Sequence, residues 1–556
     1  MKKNLIVLLV SSLALSSCEG FLDMTPTDRV SPKIIWATTE KAEYNINFLY
    51  SYIWDLYASP TSLGLTEGLT DELKYTSYNY NSMCYIPSEM AYGGSILDPG
   101  YVDSYMGYWG TLYRAIGRTN EALQNLYLYG QMSDEDKTRL EGELKFLRGW
   151  MYFELIKRYK EVIIYEDIAS ITKDHALATE QEGWDQVEKD LRAAAAALPL
   201  PSASNGRLNQ GTAWGMLSRA MLYAKRWDVV IEAADEVTKL GYDLVENYAD
   251  AYTKDTKDGN KEAILQYYFS LSDGVTHSFN FYYTPGGDYT VADQVGGAYA
   301  VPTQEMVESY ELATGGFPDW GPWHADGVTA TPPYAKLEPR FQATILYNGA
   351  SWKGRTIEPY IGGTDGWAEW KADPTPNGKT VTGYYLRKLV DETFDVNTSG
   401  SSQSFTFLRY AEVLLNQAEA YVESTTQNNE IEANKIIKRI RSRVGLPYSN
   451  NLYGTELKAQ IRQERKVELA YEGLRYWDLR RWGCAAEKYP EGLCEYQQHG
   501  FKIEKEGDVF KYSYVSVDEK NRDFPAKMYR FPLPSDEVSN NKALGNQQPD
   551  VNWRTN

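Results

Sequence analysis

Residues 209–241, NQGTAWGMLSRAMLYAKRWDVVIEAADEVTKLG, constrain this chain most, because they read as a helical hairpin. Trp214, Leu217, Ala220, Met221, Trp227, Val230 and Val237 fall at the spacings of a tetratricopeptide unit. In such a unit large residues of the first helix pack into small ones of the second. The second helix stops at Gly241, where a left-handed residue costs little. One unit alone is marginal, so neighbouring units must stack to bury a continuous core. Helical periodicity elsewhere supplies them, at 38–56, 101–129, 133–159 and 184–198, and again at 405–443, where Ala418, Ala420 and Ala433 allow close approach. Ser133 with Asp136 three residues on caps one of these helices. The expected fold is mainly α, tetratricopeptide-like, with helix pairs across 38–125, 133–198, 209–240 and 405–443. Generic helical hairpins without true repeats are the alternative.

Residues 242–400 have a different texture, with Gly-Pro turns, few long helical patterns and many Tyr and Trp. They read as an inserted, irregular, partly β ligand-binding lobe, since ordered loops on a rigid scaffold are where binding groups sit. The expected division is 1–17 signal peptide, 18–35 lipidated tether and 36–241 helical part, with binding loops near 60–110. It continues with 242–400 lobe, 401–483 helical completion and 484–556 C-terminal loops and cap.

The start, MKKNLIVLLVSSLALSSCEG, has two lysines, an apolar run from Leu5 to Leu15 and small residues before Cys18. That describes an export signal, too short to span a bilayer. Leu15-Ser16-Ser17-Cys18 resembles a bacterial lipobox, which implies acylation of Cys18. An ordinary secretory signal is the alternative. Acyl chains contribute about 0.8 kcal/mol of membrane affinity per buried CH₂, so the expected product is membrane-tethered. The net charge of -19 repels phosphate backbones and excludes nucleic acid as a ready partner. Cys84, Cys484 and Cys494 complete the cysteines, and a local Cys484–Cys494 disulfide is one of the open pairings.

There are 45 Tyr against 16 Phe, a balance that suits rings with one wet edge. Flat rings cover the C–H face of a sugar while amides and carboxylates meet its hydroxyls. Candidate members are Asn79 and Tyr80 in TSYNYNSMCY, and Tyr108 and Trp109 followed by Arg118 and Asn120. The lobe offers Asn280, Tyr282, Tyr283 and Asp288, with Trp320 and Trp323 in the loop GFPDWGPW. Each has a structural alternative: Trp109 lies at helical spacing with Tyr113 and Ile116, Tyr283 and Trp320 equally fit packing, and Asn79 fits a turn. Glu464, Glu468 and Glu472 lie at i, i+4 and i+8 on an expected charged helix at 460–482. Basic neighbours make them an ion-pair clamp rather than a catalytic pair. The four histidines show no metal-ligand spacing, and no phosphate-cradling glycine loop is present, so no metal or cofactor is expected.

Six ordered segments resemble the SusD/RagB family of nutrient-binding outer-membrane lipoproteins. These are SCEGFLDMTPTDRVSPKIIW, YWGTLYRAIGRTNEAL, EGELKFLRGWMYFELIKRYKEV, FLRYAEVLLNQAEAY, IRQERKVELAYEGLRYWDLRRWG and YRFPLPSDEVSNNKALGNQQPD. The tail departs from the pattern, with Asn541-Lys542 where Asn-Pro is expected. The resemblance implies a right-handed superhelix of four tetratricopeptide-like helix pairs with an irregular binding lobe. It also implies a lipid-anchored outer-membrane protein facing the cell exterior, which binds oligosaccharides or polysaccharides without catalysis. The implied partner is a SusC-like TonB-dependent transporter. The rival expectations are a helical-repeat scaffold binding proteins or a non-sugar nutrient, and a lipoprotein glycosidase.

Overall fold

The computed structural model describes residues 31–545, apart from 58–65, 77–89, 91–101, 103–105, 171–173, 202–205, 292–295, 371–376, 399 and 450. Cys18, Cys84, Asn79 and Tyr80 lie outside the described residues.

Four helix pairs form the frame: α1 (Thr39–Tyr57) with α2 (Trp109–Tyr129), α3 (Asp134–Tyr159) with α4 (Glu180–Ala197), α5 (Gln210–Tyr223) with α6 (Trp227–Lys239), and α7 (Tyr410–Glu423) with α8 (Glu430–Arg443). Pairs stack in order, α2 on α3, α4 on α5 and α6 on α7. Caps set the starts. Ser133 Oγ accepts from Asp136 N at 3.1 Å, and Thr179 with Glu182 forms a reciprocal capping box. That box begins α4 at Glu180, a turn earlier than the apolar pattern predicts. The buried run Trp150, Met151, Tyr152 and Phe153 in α3 marks a helix covered on all sides. Gly149 lets α4 close on it, since a Cβ there would sit 3.1 Å from Asp190 and Leu191.

Short strands complete the body: β1 (Leu73–Tyr75), β2 (Ala263–Tyr267), β3 (Ala300–Pro302), β4 (Phe405–Arg409), β5 (His499–Glu506) and β6 (Val509–Ser516). β1 pairs antiparallel with β3, Tyr75 opposite Ala300. β2 pairs antiparallel with β4, so the chain leaves the frame for the lobe and re-enters it at one place. Residues 405–409, expected to be helical, are the strand β4, because FTFLR is aromatic and β-branched and wholly buried. The hairpin β5–β6 turns beside Gly507 within a segment expected to be loops.

The expected helix across 460–482 is broken. α9 (Gly454–Glu468) and α10 (Arg475–Trp482) are separated by left-handed Tyr471 and Gly473, so Glu472 leaves the shared helix face. The disulfide is absent as well: Cys484 and Cys494 are free thiols. Cys484 Sγ donates to the Leu479 carbonyl at 3.7 Å, whereas Cys494 Sγ faces Ala485 O and accepts from Phe524 N–H at 3.2 Å. Among the described residues no helix is long and apolar enough to cross a membrane.

A buried ion network ties frame to lobe. Arg340 of the lobe donates to Glu464 at 2.5 Å, to Glu468 at 3.1 Å and to Glu338 at 2.6 Å. Arg409, ending β4, meets Glu262 at 2.6 Å, Glu468 at 2.7 Å and Glu472 at 2.7 Å. Arg443 of α8 bridges Glu262 and Glu468, Arg441 bridges Glu311 and Glu464, and Lys388 reaches Glu472 at 2.7 Å. Burial opposes ionisation of Glu468, yet the surrounding Arg443, Arg409 and Arg340 hold its carboxyl well below the usual range.

Inside the lobe, three glycine-bearing turns press together. Gly286 N–H donates to Gly378 O at 3.1 Å. Gly378 has φ +79, and a Cβ there would lie 2.3 Å from the Gly296 carbonyl oxygen and 2.6 Å from Gly286 Cα.

Three expectations test this construction. Glu468→Ala removes a buried carboxylate shared by three buried guanidinium groups and should cost about 3–5 kcal/mol in urea unfolding, whereas breaking the exposed Lys189–Glu166 pair should cost under about 1 kcal/mol. Glu468 has a depressed folded pKa, as does Glu419, held at about 2 mainly by Arg481 against burial. Their stabilisation is therefore complete above the unfolded glutamate pKa of about 4.3 and is lost as pH falls below it. A melting temperature unchanged from pH 6 to pH 3 would contradict this. Separately, Gly378→Ala adds backbone overlap to a left-handed penalty of roughly 1–2 kcal/mol. It should lower the melting temperature more than Gly259→Ala, where φ is +89 but a Cβ meets nothing within 4 Å.

Candidate functional site

Two partly open ring clusters flank the short β1–β3 ladder. The first grows from a short helix, Phe279–Tyr283. Phe279 and Tyr283, four apart, pack with tilted rings at 4.4 Å in the core, which turns Phe281 to the other side and leaves Tyr282 half-buried. Phe281 is 43% exposed. Its ring meets Tyr282 edge-on at 5.3 Å and Tyr289 at 5.9 Å, and Tyr282 meets Tyr299, the residue before β3, at 4.8 Å. Tyr289 Oη donates to the Phe281 carbonyl at 2.7 Å, closing the cluster on itself.

Asp288 anchors this face from beneath. Its carboxylate accepts from Thr284 Oγ1 at 2.6 Å, Trp352 Nε1 at 3.0 Å and Arg355 Nη2 at 2.7 Å, with Lys353 Nζ at 3.0 Å. Burial opposes the charge, but these donors hold its carboxyl below the usual range. Arg355 continues to Asp365 at 2.7 Å. Asn280 is likewise fixed, exchanging hydrogen bonds with the Asp391 backbone at 2.9 and 3.2 Å. The polar members therefore position rings.

The second cluster follows β3 through the helix Gln304–Val307. His499 Nδ1 lies 2.7 Å from Glu305, and His324 Nε2 lies 2.6 Å from Glu308. The two imidazoles stack on Tyr514, at centroid distances of 4.4 and 4.3 Å. Trp320 and Trp323 stand edge-on at 6.0 Å in the same loop. Trp323 Nε1 donates to Ala330 O at 2.9 Å, while Trp320 Nε1 is buried with no acceptor among the described residues.

The residues singled out in the sequence divide unevenly between these places. Trp109 is a core residue, 3% exposed, packed on Tyr113 and Tyr159 and donating to Glu537 at 3.2 Å. Tyr283 is buried by its packing on Phe279, and Trp320 is 6% exposed, so the expectation of open faces at these positions is corrected. Helical spacing explains Trp109 and Tyr283; for Trp320 the Gly-Pro loop folds its ring against Tyr334. Tyr108 caps α2 in a left-handed conformation beneath Arg158, and Trp323 is half-buried. Asn120 serves the frame, bonding Arg148 and the Tyr165 carbonyl. Tyr282 and Asp288 do belong to the first cluster. Phe281, Tyr289, Tyr299, His324, His499 and Tyr514 escaped the sequence reading; alternation within FNFYY is the only local signal that could have found any of them.

Glu464, Glu468 and Glu472, expected to form an ion-pair clamp, are buried against cations, and the carboxyls of Glu468 and Glu472 are held below the usual range, which leaves those two no proton to donate near neutral pH. Rings over a polar, hydrogen-bonded floor can instead cover flat, weakly apolar faces.

The sequence matches known proteins along most of its length. The profile described as the SusD family matches residues 261–553, and one described as "Starch-binding associating with outer membrane" matches residues 49–222. A SusD-like protein of Bacteroides ovatus is 22% identical over 87% of this chain and 83% of its own. SusD-like protein P2 of Formosa agariphila is 25% identical over 89% of this chain and 93% of its own. Among solved structures, a SusD-like protein from Bacteroides fragilis superposes with a TM-score of 0.74 at 26% identity, covering 94% of this chain and 99% of that one. With the stacked helix pairs and the inserted lobe in place, these matches show that the chain belongs to the SusD family.

Proposed function

We propose that this protein is a cell-surface glycan-binding lipoprotein that captures oligosaccharides or polysaccharides and passes them to a SusC-like TonB-dependent transporter. The observation that carries the reading is the cluster of exposed Phe281 with half-buried Tyr282, Tyr289 and Tyr299, pre-ordered over the Asp288 hub. Rings held this way lose little conformational entropy on covering a sugar. Family membership supports it, as do two relatives of the same fold. One, from Bacteroides fragilis, is described as a SusD-like carbohydrate-binding protein (24% identity, TM-score 0.74), and the other as a laminarin-binding SusD-like protein (22% identity, TM-score 0.61). Acylation of Cys18 anchors the protein to the outer membrane, facing outward. Tyr44 and Phe48, exposed one turn apart on α1, offer apolar contact to a protein partner near the tether.

Isothermal titration of the mature chain against a panel of purified oligosaccharides tests the capture step. At least one glycan should bind, and the Phe281→Ala/Tyr282→Ala double variant should weaken it at least tenfold, about 1.4 kcal/mol. The glycan should show no new reducing ends after incubation. Absence of binding across the panel, or an unchanged Kd in the folded double variant, overturns the reading of this face. Cys18→Ala should release the protein from the membrane fraction.

A further inference from the structure

Where α3, α5 and α10 end, a cavity of 620 Å³ opens on the helical frame. Lys157, Lys160, Lys225, Arg480 and Arg481 line it, against one lining carboxylate, Glu180. Such a concentration of cations is unexpected in a chain of 57 basic and 76 acidic residues.

The interior charges are matched unequally. Arg481 has a full complement, paired with Glu419 at 2.8 Å and with Asp478 at 2.8 Å. Lys157 and the adjacent Arg158 both pair with Glu154. Arg480, 7% exposed, donates only to neutral oxygens, Tyr476 Oη at 3.3 Å and the Tyr529 carbonyl at 3.0 Å. Its guanidinium otherwise lies over Phe531 at 4.6 Å and Trp477 at 5.0 Å, and among the described residues no carboxylate pairs with it. Burial pushes the Lys157 ammonium down to about 7, and burial with repulsion from Arg158 lowers Arg480. The ends of the three helices each carry roughly half a negative charge that fades within a turn. They favour lysines at the rim, where Lys160 and Lys225 stand exposed in left-handed turns. They give no hydrogen-bonding partner to the buried Arg480.

We propose that this cavity binds a small oxyanion, a carboxylate, sulfate or phosphate group, free or carried on an acidic sugar. The anion would meet the inner Lys157 and Arg480 after passing the rim lysines. This site is separate from the lobe clusters and does not depend on how they function.

The test is titration of the mature chain, at fixed ionic strength, with sodium sulfate, sodium phosphate and sodium glucuronate, with sodium chloride as reference. Saturable binding and a melting temperature raised above the chloride reference are expected. The Lys160→Glu/Lys225→Glu variant, on the exposed rim, should weaken binding at least tenfold while folding normally. Lys157→Met should abolish binding, and the rim variant keeps the test decisive if it fails to fold. Binding of sulfate or phosphate alone identifies a free anion, and tighter glucuronate binding identifies an acidic sugar; either supports the site. No saturable binding, an equal response to chloride, or an unchanged Kd in the rim variant overturns it, leaving helix ends and rings to hold the cations. Neutral glycan binding at the lobe is read independently.

Discussion

The arginines around Glu468 set the terms for the rest of the molecule. Glu468 and Glu464 belong to α9, Arg443 and Arg441 to α8, Arg409 to the end of β4, and Arg340 to the lobe, so one buried cluster joins helical frame, strand and insertion. Stability is not the reason to build it this way, since apolar replacements of buried ion pairs are often neutral or better. Bidentate geometry offers specificity instead. Arg409 can satisfy Glu262, Glu468 and Glu472 together only when β4, α9 and the break after α9 stand in one arrangement. A lobe attached by apolar contact alone could slide; one attached by forked hydrogen bonds has a fixed seat.

That seat is why the break between α9 and α10 matters. In a continuous helix Glu464, Glu468 and Glu472 would form a straight stripe. The left-handed Tyr471 and Gly473 instead free Glu472 to reach Lys388 and Arg409, and expose the Gly473 N–H to Glu67 at 2.5 Å. Asp71 fills the same junction, bound to Lys466 at 2.6 Å and to Arg475 at 3.1 Å. Two residues after Asp71 the chain enters β1, which carries the registration through β3 to the ring clusters. The path from ion network to lobe surface is thus only a few residues long.

Legibility in the sequence followed the range of the interactions. The frame was readable because helix pairing depends on local spacing: the hairpin at 209–241 and the capped α3 lie where apolar periodicity predicts them. The errors occurred where distant partners decide. FTFLR reads as the front of a helix until β2, far away in the chain, supplies its ladder. The α9–α10 break is held by Glu67, and the Cys484 and Cys494 thiols are drawn apart by different backbone partners. The rings were hardest. Within FNFYY, residues two positions apart have opposite fates, and composition cannot say which face turns inward.

The same five residues show how an outward-facing ring can be made from core-forming material. Phe279 and Tyr283 anchor one side of the short helix, and the apolar area they bury is what holds Phe281 outward. Exposing a phenylalanine costs free energy of order 1.5–3 kcal/mol relative to burying it. That cost is recovered whenever an apolar surface covers the ring. A face of this kind is stable but unsatisfied. Its pull is non-directional, so on a face of this kind selectivity falls to polar groups, while the rings supply a standing attraction for any flat, weakly apolar surface.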